Sequence, residues 1–184
     1  MPYPSQVASD TIVEIAWQMI TNEGVEAFSM HKLAAHFGIK APSLYRYFKR
    51  TELLRAVNAM TTIRLLEAMA PSLDLDVPVA EKVMDLALRY REFAHANPVV
   101  YGLLYTNTID ELRPETDEAG VLPFQNLMAQ LSGDEQSLSA TRGMLAIMHG
   151  FVMLELAEQL RRGGDLDEAY RYTVQVFING LMNT

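Results

Sequence analysis

The segment Ser29-Met30-His31-Lys32-Leu33-Ala34-Ala35-His36-Phe37-Gly38-Ile39-Lys40-Ala41-Pro42-Ser43-Leu44-Tyr45-Arg46-Tyr47-Phe48 decides the fold. Ser29 suits a helix N-cap, because its hydroxyl can accept from an otherwise unbonded backbone N–H of the first turn. Leu33, Ala34 and Phe37 follow at helical spacing and face inward. Gly38 closes that helix, and Ile39 is expected as a buried turn residue. Pro42 fits the first turn of a third helix, where its missing N–H costs nothing. Leu44 and Phe48, four apart, form the inner face of that helix. Both helices are too short to be stable alone and must pack on another. Ile12, Ile15, Ala16, Met19 and Ile20 supply it, as a helix over about 9–22 that ends at Asn22-Glu23-Gly24, with Gly24 suited to a left-handed cap. Three such helices make a helix-turn-helix unit whose second short helix presents residues 40–47 toward a DNA major groove.

Charge supports that reading. The 184-residue chain has a formal net charge of −8, which by itself argues against nucleic acid. Residues 29–50 nevertheless carry five basic side chains (Lys32, Lys40, Arg46, Lys49, Arg50), two histidines and no acid. Residues 51–184 carry ten basic and nineteen acidic side chains, a balance of −9. An electropositive patch on an acidic body is a local footprint for a polyanion. Lys40, Ser43, Tyr45, Arg46 and Tyr47 add donors suited to phosphates and base edges.

The rest of the chain reads as all-α, about nine helices with no convincing strand. Thr51 is expected to cap a fourth helix running to about Ala70, and 71–78 to form a loop. Further helices are expected over about 79–96, 98–106, 118–131, 135–162 and 165–182, with Pro123 in or near the first turn of the seventh. The expected domains are a helix-turn-helix DNA-binding domain over 1–50 (the motif about 30–49) and a helical ligand-binding and dimerisation domain over 51–184.

Several classes are disfavoured. There is no cysteine, which excludes disulfides, a thiol nucleophile and a thiolate zinc site and fits a reducing cytoplasm. No signal peptide and no uninterrupted apolar stretch of membrane-spanning length is present, so no membrane association is expected. There is no His-Glu-x-x-His and no phosphate loop. Glu92-Phe93-Ala94-His95 matches one Glu-x-x-His element of a di-iron bundle, but the other three histidines lack a glutamate three residues earlier. His95 is instead expected to favour the end of the fifth-helix dipole, and Glu155 and Glu158 to be solvated or cap-directed. No enzymatic activity, metal or cofactor is expected. The rival class is a helical protein-binding module without DNA binding, favoured slightly by the sequence pI of about 5.0 and disfavoured by the acid-free stretch.

Residues 28–39, 40–48 and Glu52-Leu53-Leu54 together resemble the TetR family of bacterial one-component regulators, strongly over about 9–57. Met148-His149-Gly150-Phe151 followed by Leu154-Glu155-Leu156 resembles the His-Gly segment of a C-terminal domain type (the WHG-type subgroup) found in part of that family. The resemblance implies a sequence-specific transcriptional regulator, by default a repressor. Ser29 would cap the second helix and reach a phosphate, and His31 and Lys32 would lie beside the backbone. Ala41, Pro42 and Ser43 would approach bases, Tyr45 and Tyr47 phosphates, and Arg46 a guanine edge. The family's phosphate-binding lysine at the start of the fourth helix is Thr51 here, for which Lys49 or Arg50 can substitute.

The last two helices carry more apolar surface than a small monomer core needs. Leu145, Val152, Leu156, Leu160, Tyr170, Val174, Phe177, Ile178 and Leu181 are therefore expected to pair with a second copy in a four-helix dimer interface, which is also the family's usual dimer. A two-fold dimer calls for an inverted-repeat operator. Leu86, Tyr90, Phe93, Tyr101, Leu104, Phe124, Met144, Met148 and His149 are the expected liners of a pocket for a small apolar ligand. For His149, ligand contact and ordinary helix packing are equally supported. A ligand selecting one conformation would move the fourth helix and spread the reading heads.

No basic residue precedes Lys32, so no minor-groove arm is expected and phosphate contacts should be few. The slope of log K against log salt for DNA binding should be shallower than about −8, since about 0.9 ions leave per phosphate neutralised. Titration at several salt concentrations checks it, and a steeper slope contradicts the expectation.

Overall fold

A computed structural model describes residues 8–105 and 118–183. Among these residues the chain forms nine α-helices and no strand: α1 (Ser9–Glu23), α2 (Met30–His36), α3 (Ala41–Leu44), α4 (Arg50–Met69), α5 (Val79–Ala96), α6 (Pro98–Tyr105), α7 (Glu118–Ser132), α8 (Ser137–Leu156) and α9 (Leu166–Met182). Short 3-10 turns span Ala70–Asp74 and Asp134–Gln136. The chain divides into two compact units, 1–63 with 97–115, and 64–96 with 116–184. The expected boundary at residue 50 is only the start of α4. The division falls later, inside that helix, because Leu53, Leu54 and Val57 bury into the core of the first unit.

The first unit is built around the faces expected from periodicity. Ile12, Ala16 and Ile20 of α1, Leu33 and Ala34 of α2 and Leu44 at the end of α3 are buried together, with Val100 and Leu103 of α6 completing the cluster. Phe37, Ile39, Tyr47 and Phe48 pack half-buried against it. Trp17 adds a directional link: its indole N–H donates to Thr61 Oγ1 at 3.0 Å, and the Thr61 hydroxyl donates to the Val57 carbonyl at 2.8 Å.

Local chemistry sets the helix ends. Ser29 Oγ accepts from the Lys32 N–H at 3.2 Å, the expected cap. After α2, Gly38 (φ 65°) donates to the Ala35 carbonyl and Ile39 to the Ala34 carbonyl, both at 3.0 Å. Two such bonds make a Schellman closure, which requires the left-handed conformation glycine adopts freely. Gly24 does not take that conformation; its ψ of 157° at φ 88° puts it in an extended region open essentially to glycine. Nor does Thr51 cap α4. The helix begins one residue earlier, and the Lys49 N–H donates to the Glu52 carboxylate at 2.8 Å, half of a capping box.

In the second unit, the segment expected as a loop after α4 opens with the turn Ala70–Asp74, where the buried Ser72 donates to Asp85 of α5 at 2.8 Å. Pro123 lies inside α7, beyond its first turn. The helix expected to reach residue 162 stops at Leu156. Glu158 stands at φ 53° and donates its N–H to the Glu155 carbonyl at 2.9 Å, while Gln159 donates to Leu154 at 2.8 Å. This is the same Schellman closure with glutamate in the glycine position, so no glycine marks it in the sequence.

Leu44 ends a four-residue helix and is wholly buried. Leu44→Ala should cost about 2–5 kcal/mol of stability, whereas Tyr45→Ala, on the exposed side, should stay within about 0.5 kcal/mol. Urea unfolding of both variants checks the contrast, and equal losses would contradict this packing.

Candidate nucleic-acid interface

α3 is a single turn, with Lys40 at its N-cap position making no side-chain cap bond, and is continued by hydrogen-bonded turns. The Arg46 N–H donates to Ser43 at 3.4 Å, and the Tyr47 N–H to Leu44 at 2.9 Å. This tight winding sorts the side chains. Leu44 faces the core, as does Ala41 at 9% exposure, which leaves Ala41 little methyl surface to offer a base. Lys40, Pro42, Tyr45 (49% exposed) and Arg46 project outward, with Ser43 half-buried between them. Tyr47 lies partly against the core. His31, Lys32, Lys49 and Arg50 are exposed, and Thr51 is half-buried at the second position of α4. Two of these cations are matched by carboxylates: Lys32 Nζ lies 2.8 Å from Glu23 Oε2, and Lys49 Nζ 3.7 Å from Glu52 Oε1. The acid-free stretch is therefore not acid-free in space.

Residues 12–57 match the family described as bacterial regulatory proteins, tetR family, and residues 83–177 match the tetracyclin repressor-like C-terminal domain. The second match alone spans more than half of the chain. The protein belongs to the TetR family. It is a DNA-binding transcriptional regulator. The uncharacterized HTH-type transcriptional regulator YobS of Bacillus subtilis (strain 168) is 26% identical over 174 residues, which cover 93% of this chain and 91% of that one. A Rhodococcus sp. RHA1 protein of unknown function shares the fold at a TM-score of 0.74 and 21% identity, over 99% of each chain. So does a TetR variant from Acinetobacter baumannii AYE, solved in complex with minocycline, at a TM-score of 0.73 and 18% identity, over 97% of this chain and 98% of that one.

In this TetR-family chain the expected pocket residues do not all fall in one compact unit. Tyr101 and Leu104 belong to the first, where Tyr101 is buried. Within the second, Leu86, Tyr90, Phe124, Met144 and Met148 are buried, and Phe93 and His149 are half-buried. Burial pushes the His149 pKa below its ordinary value, which favours the neutral imidazole. A shallow groove of about 350 Å³ lies elsewhere, lined by Ala80, Glu81, Met84, Asp85, Leu88 and Gln175, none of them an expected liner.

The expected dimer residues divide by burial. Val152, Tyr170, Val174 and Ile178 are fully buried within one chain, because the core-facing stripe of α9 repeats every four residues at 170, 174 and 178. They have no surface left for a second copy. Leu156, Phe177 and Leu181 are half-buried, Leu160 lies past the end of α8, and Leu145 is exposed. The apolar side chains that do stand exposed on these helices are Leu138, Leu145 and Leu154 of α8 and Tyr172, Val176 and Met182 of α9.

Glu155 is the residue whose role sequence reasoning missed. Its carboxylate, 8% exposed, accepts from Arg91 Nε at 2.9 Å and Nη2 at 2.6 Å, and lies 2.8 Å from His95 Nε2. Arg91 also pairs with Asp167 at 2.7 Å and lies over the ring of Tyr170, 5.3 Å from its centroid. The Tyr170 hydroxyl donates to the Ala87 carbonyl at 2.7 Å. His95 stands in the last turn of α5, as expected, and joins this cluster as well. The periodicity of α8 alone cannot distinguish a glutamate that meets α5 from one that meets water.

The hydrogen bonds from Arg91 hold the Glu155 carboxyl below its ordinary range, although burial works against them. A depressed folded-state pKa gives stability that is fully present above the unfolded value and is lost as pH falls through the folded one. Glu155→Gln should cost about 2–3 kcal/mol near neutral pH. The gap from wild type should narrow as pH falls from neutral to well below the ordinary glutamate range, where the wild-type carboxyl is itself protonated. Urea unfolding at both ends of that range reads this, and a constant gap would contradict a charge-based role.

Proposed function

We propose that this regulator is a repressor that binds an inverted-repeat operator as a homodimer and leaves it when a small, mostly apolar ligand binds. The observation that carries the DNA-reading part is the outward set on α3: Lys40, Pro42, Tyr45 and Arg46 exposed, with the core-facing side chains turned away. Arg46 is assigned to a guanine edge, where the bidentate guanidinium matches two acceptors. Pro42 and Ser43 face bases, Tyr45 and Tyr47 reach phosphates, and Ser29, His31, Lys32, Lys40, Lys49 and Thr51 lie along the backbone. The hydroxyl proton of Ser29 remains available to a phosphate, because the cap uses only its acceptor side.

Dimerisation is supported by the exposed apolar side chains of α8 and α9, Leu138 and Leu145 on the first and Tyr172 and Val176 on the second, which water disfavours and a second copy could cover. Ligand release is supported by the minocycline complex of the Acinetobacter relative and by the methionines Met144 and Met148. Leu86, Tyr90 and Phe124 are buried too, and flexible thioether side chains make repacking around a ligand less costly. The mechanism is a population shift toward a conformation with separated reading heads, limited by the ligand's differential affinity for the two states. The working location is the bacterial cytoplasm. No described helix is long and apolar enough to cross a membrane.

Selection of genomic fragments by the purified protein, read by sequencing, tests the reading with Arg46→Ala alongside. Wild type should enrich one inverted repeat. Arg46→Ala should relax one base position per half-site, losing about 1–3 kcal/mol of discrimination there. Absence of enrichment at low salt would overturn sequence-specific operator binding.

A further inference from the structure

Between residues 29 and 50 the sequence holds no acid, yet the fold returns one to that surface. Glu23 ends α1 and sets its Oε2 2.8 Å from the Nζ of Lys32 in the first turn of α2. The two side chains are 46% and 50% exposed, so the pair sits at the surface facing solvent. A pair that exposed contributes little to folding. Its main consequence lies outside the protein, in the field that a nearby polyanion meets. Lys40, Arg46 and Arg50, by contrast, make no ion pair among the described residues.

We propose that Glu23 is an affinity-limiting residue of the DNA-binding surface, competing with backbone phosphate for Lys32 and withholding that lysine from the electrostatic footprint. The proposal rests on α2 and α3 facing DNA. A carboxylate and a phosphate seek the same ammonium group. If Lys32 leaves Glu23 for a phosphate, an uncompensated anion remains beside a polyanion. If Lys32 bridges both, two anions are held close together. In either case the contact gains less than a free lysine would, and fewer counterions leave the DNA. The affinity of the surface then depends on Lys40, Arg46 and Arg50, and its sequence-independent component stays small.

The experiment measures fluorescence anisotropy of a labelled, mixed-sequence DNA duplex from about 50 to 200 mM salt. The proteins are wild type, Glu23→Gln, Lys32→Ala and the double variant. Glu23→Gln should tighten binding about threefold to fivefold at the lowest salt and steepen the log–log salt slope by about 0.9. In the Lys32→Ala background the same substitution should not steepen the slope. An unchanged affinity and slope in Glu23→Gln would overturn the proposal, because Lys32 would already be engaging phosphate freely. Equal steepening without Lys32 would also overturn it, reducing Glu23 to bulk negative charge. A wild-type protein with no salt-sensitive binding would remove the DNA-facing reading itself, a failure distinct from the other two. Thermal unfolding of each variant separates any loss of fold, which would lower Tm without adding a released ion.

Discussion

A helix of seven residues and another of four cannot persist in water on their own hydrogen bonds, and the proposed DNA-reading surface rests on those two. What holds them is the common apolar cluster under them. Leu33 and Leu44 are buried against Ile12, Ala16 and Ile20 of α1, with Leu53, Leu54 and Val57 of α4 in the same core. Because Leu44 must point inward, Tyr45 and Arg46 must point outward, and the Schellman closure at Gly38 sets the angle at which one helix hands over to the next. The outward set on α3 is thus a by-product of burial, positioned by the core beneath it.

The charges on that surface follow a second logic. An acidic chain that binds a polyanion must concentrate its cations, and residues 29–50 do so. The end of α1 and the first turn of α4 each bring a glutamate back against one of these lysines. Glu52 has a second task, since its carboxylate also accepts the Lys49 N–H at the start of α4, whereas Glu23 shows no comparable backbone role. One carboxylate is thus part of helix architecture, and the other acts chiefly on the field that DNA would meet.

The second unit adds polar contacts at helix ends to its apolar core. Arg91 draws together Glu155 of α8 and Asp167 of α9, and its stacking on Tyr170 ties that charge cluster to a buried ring. Just past Glu155 the chain turns through the left-handed Glu158 and ends α8. The stop of that helix and its main ion-pair hub therefore share one short stretch, and neither carries a local sequence mark, since a glutamate takes the left-handed position and the partners of Glu155 lie on α5.

Spacing along the chain determined the helices themselves. α5 runs over the residues its periodicity and Asn97-Pro98 mark, and the Ser29 cap, the Gly38 closure and the inward Leu33 and Leu44 are all legible, because caps and amphipathic faces are local properties. The helix-turn-helix plan follows from those alone. Other features needed distance in sequence to collapse into distance in space. Val152, Tyr170, Val174 and Ile178 look like spare apolar surface until α8 and α9 bury them within one chain. Lys32 and Glu23, nine residues apart, and Arg91 and Glu155, sixty-four apart, become partners only when their helices pack. Periodicity says which side of a helix is apolar; tertiary packing alone decides what that side meets and which charges are left facing water.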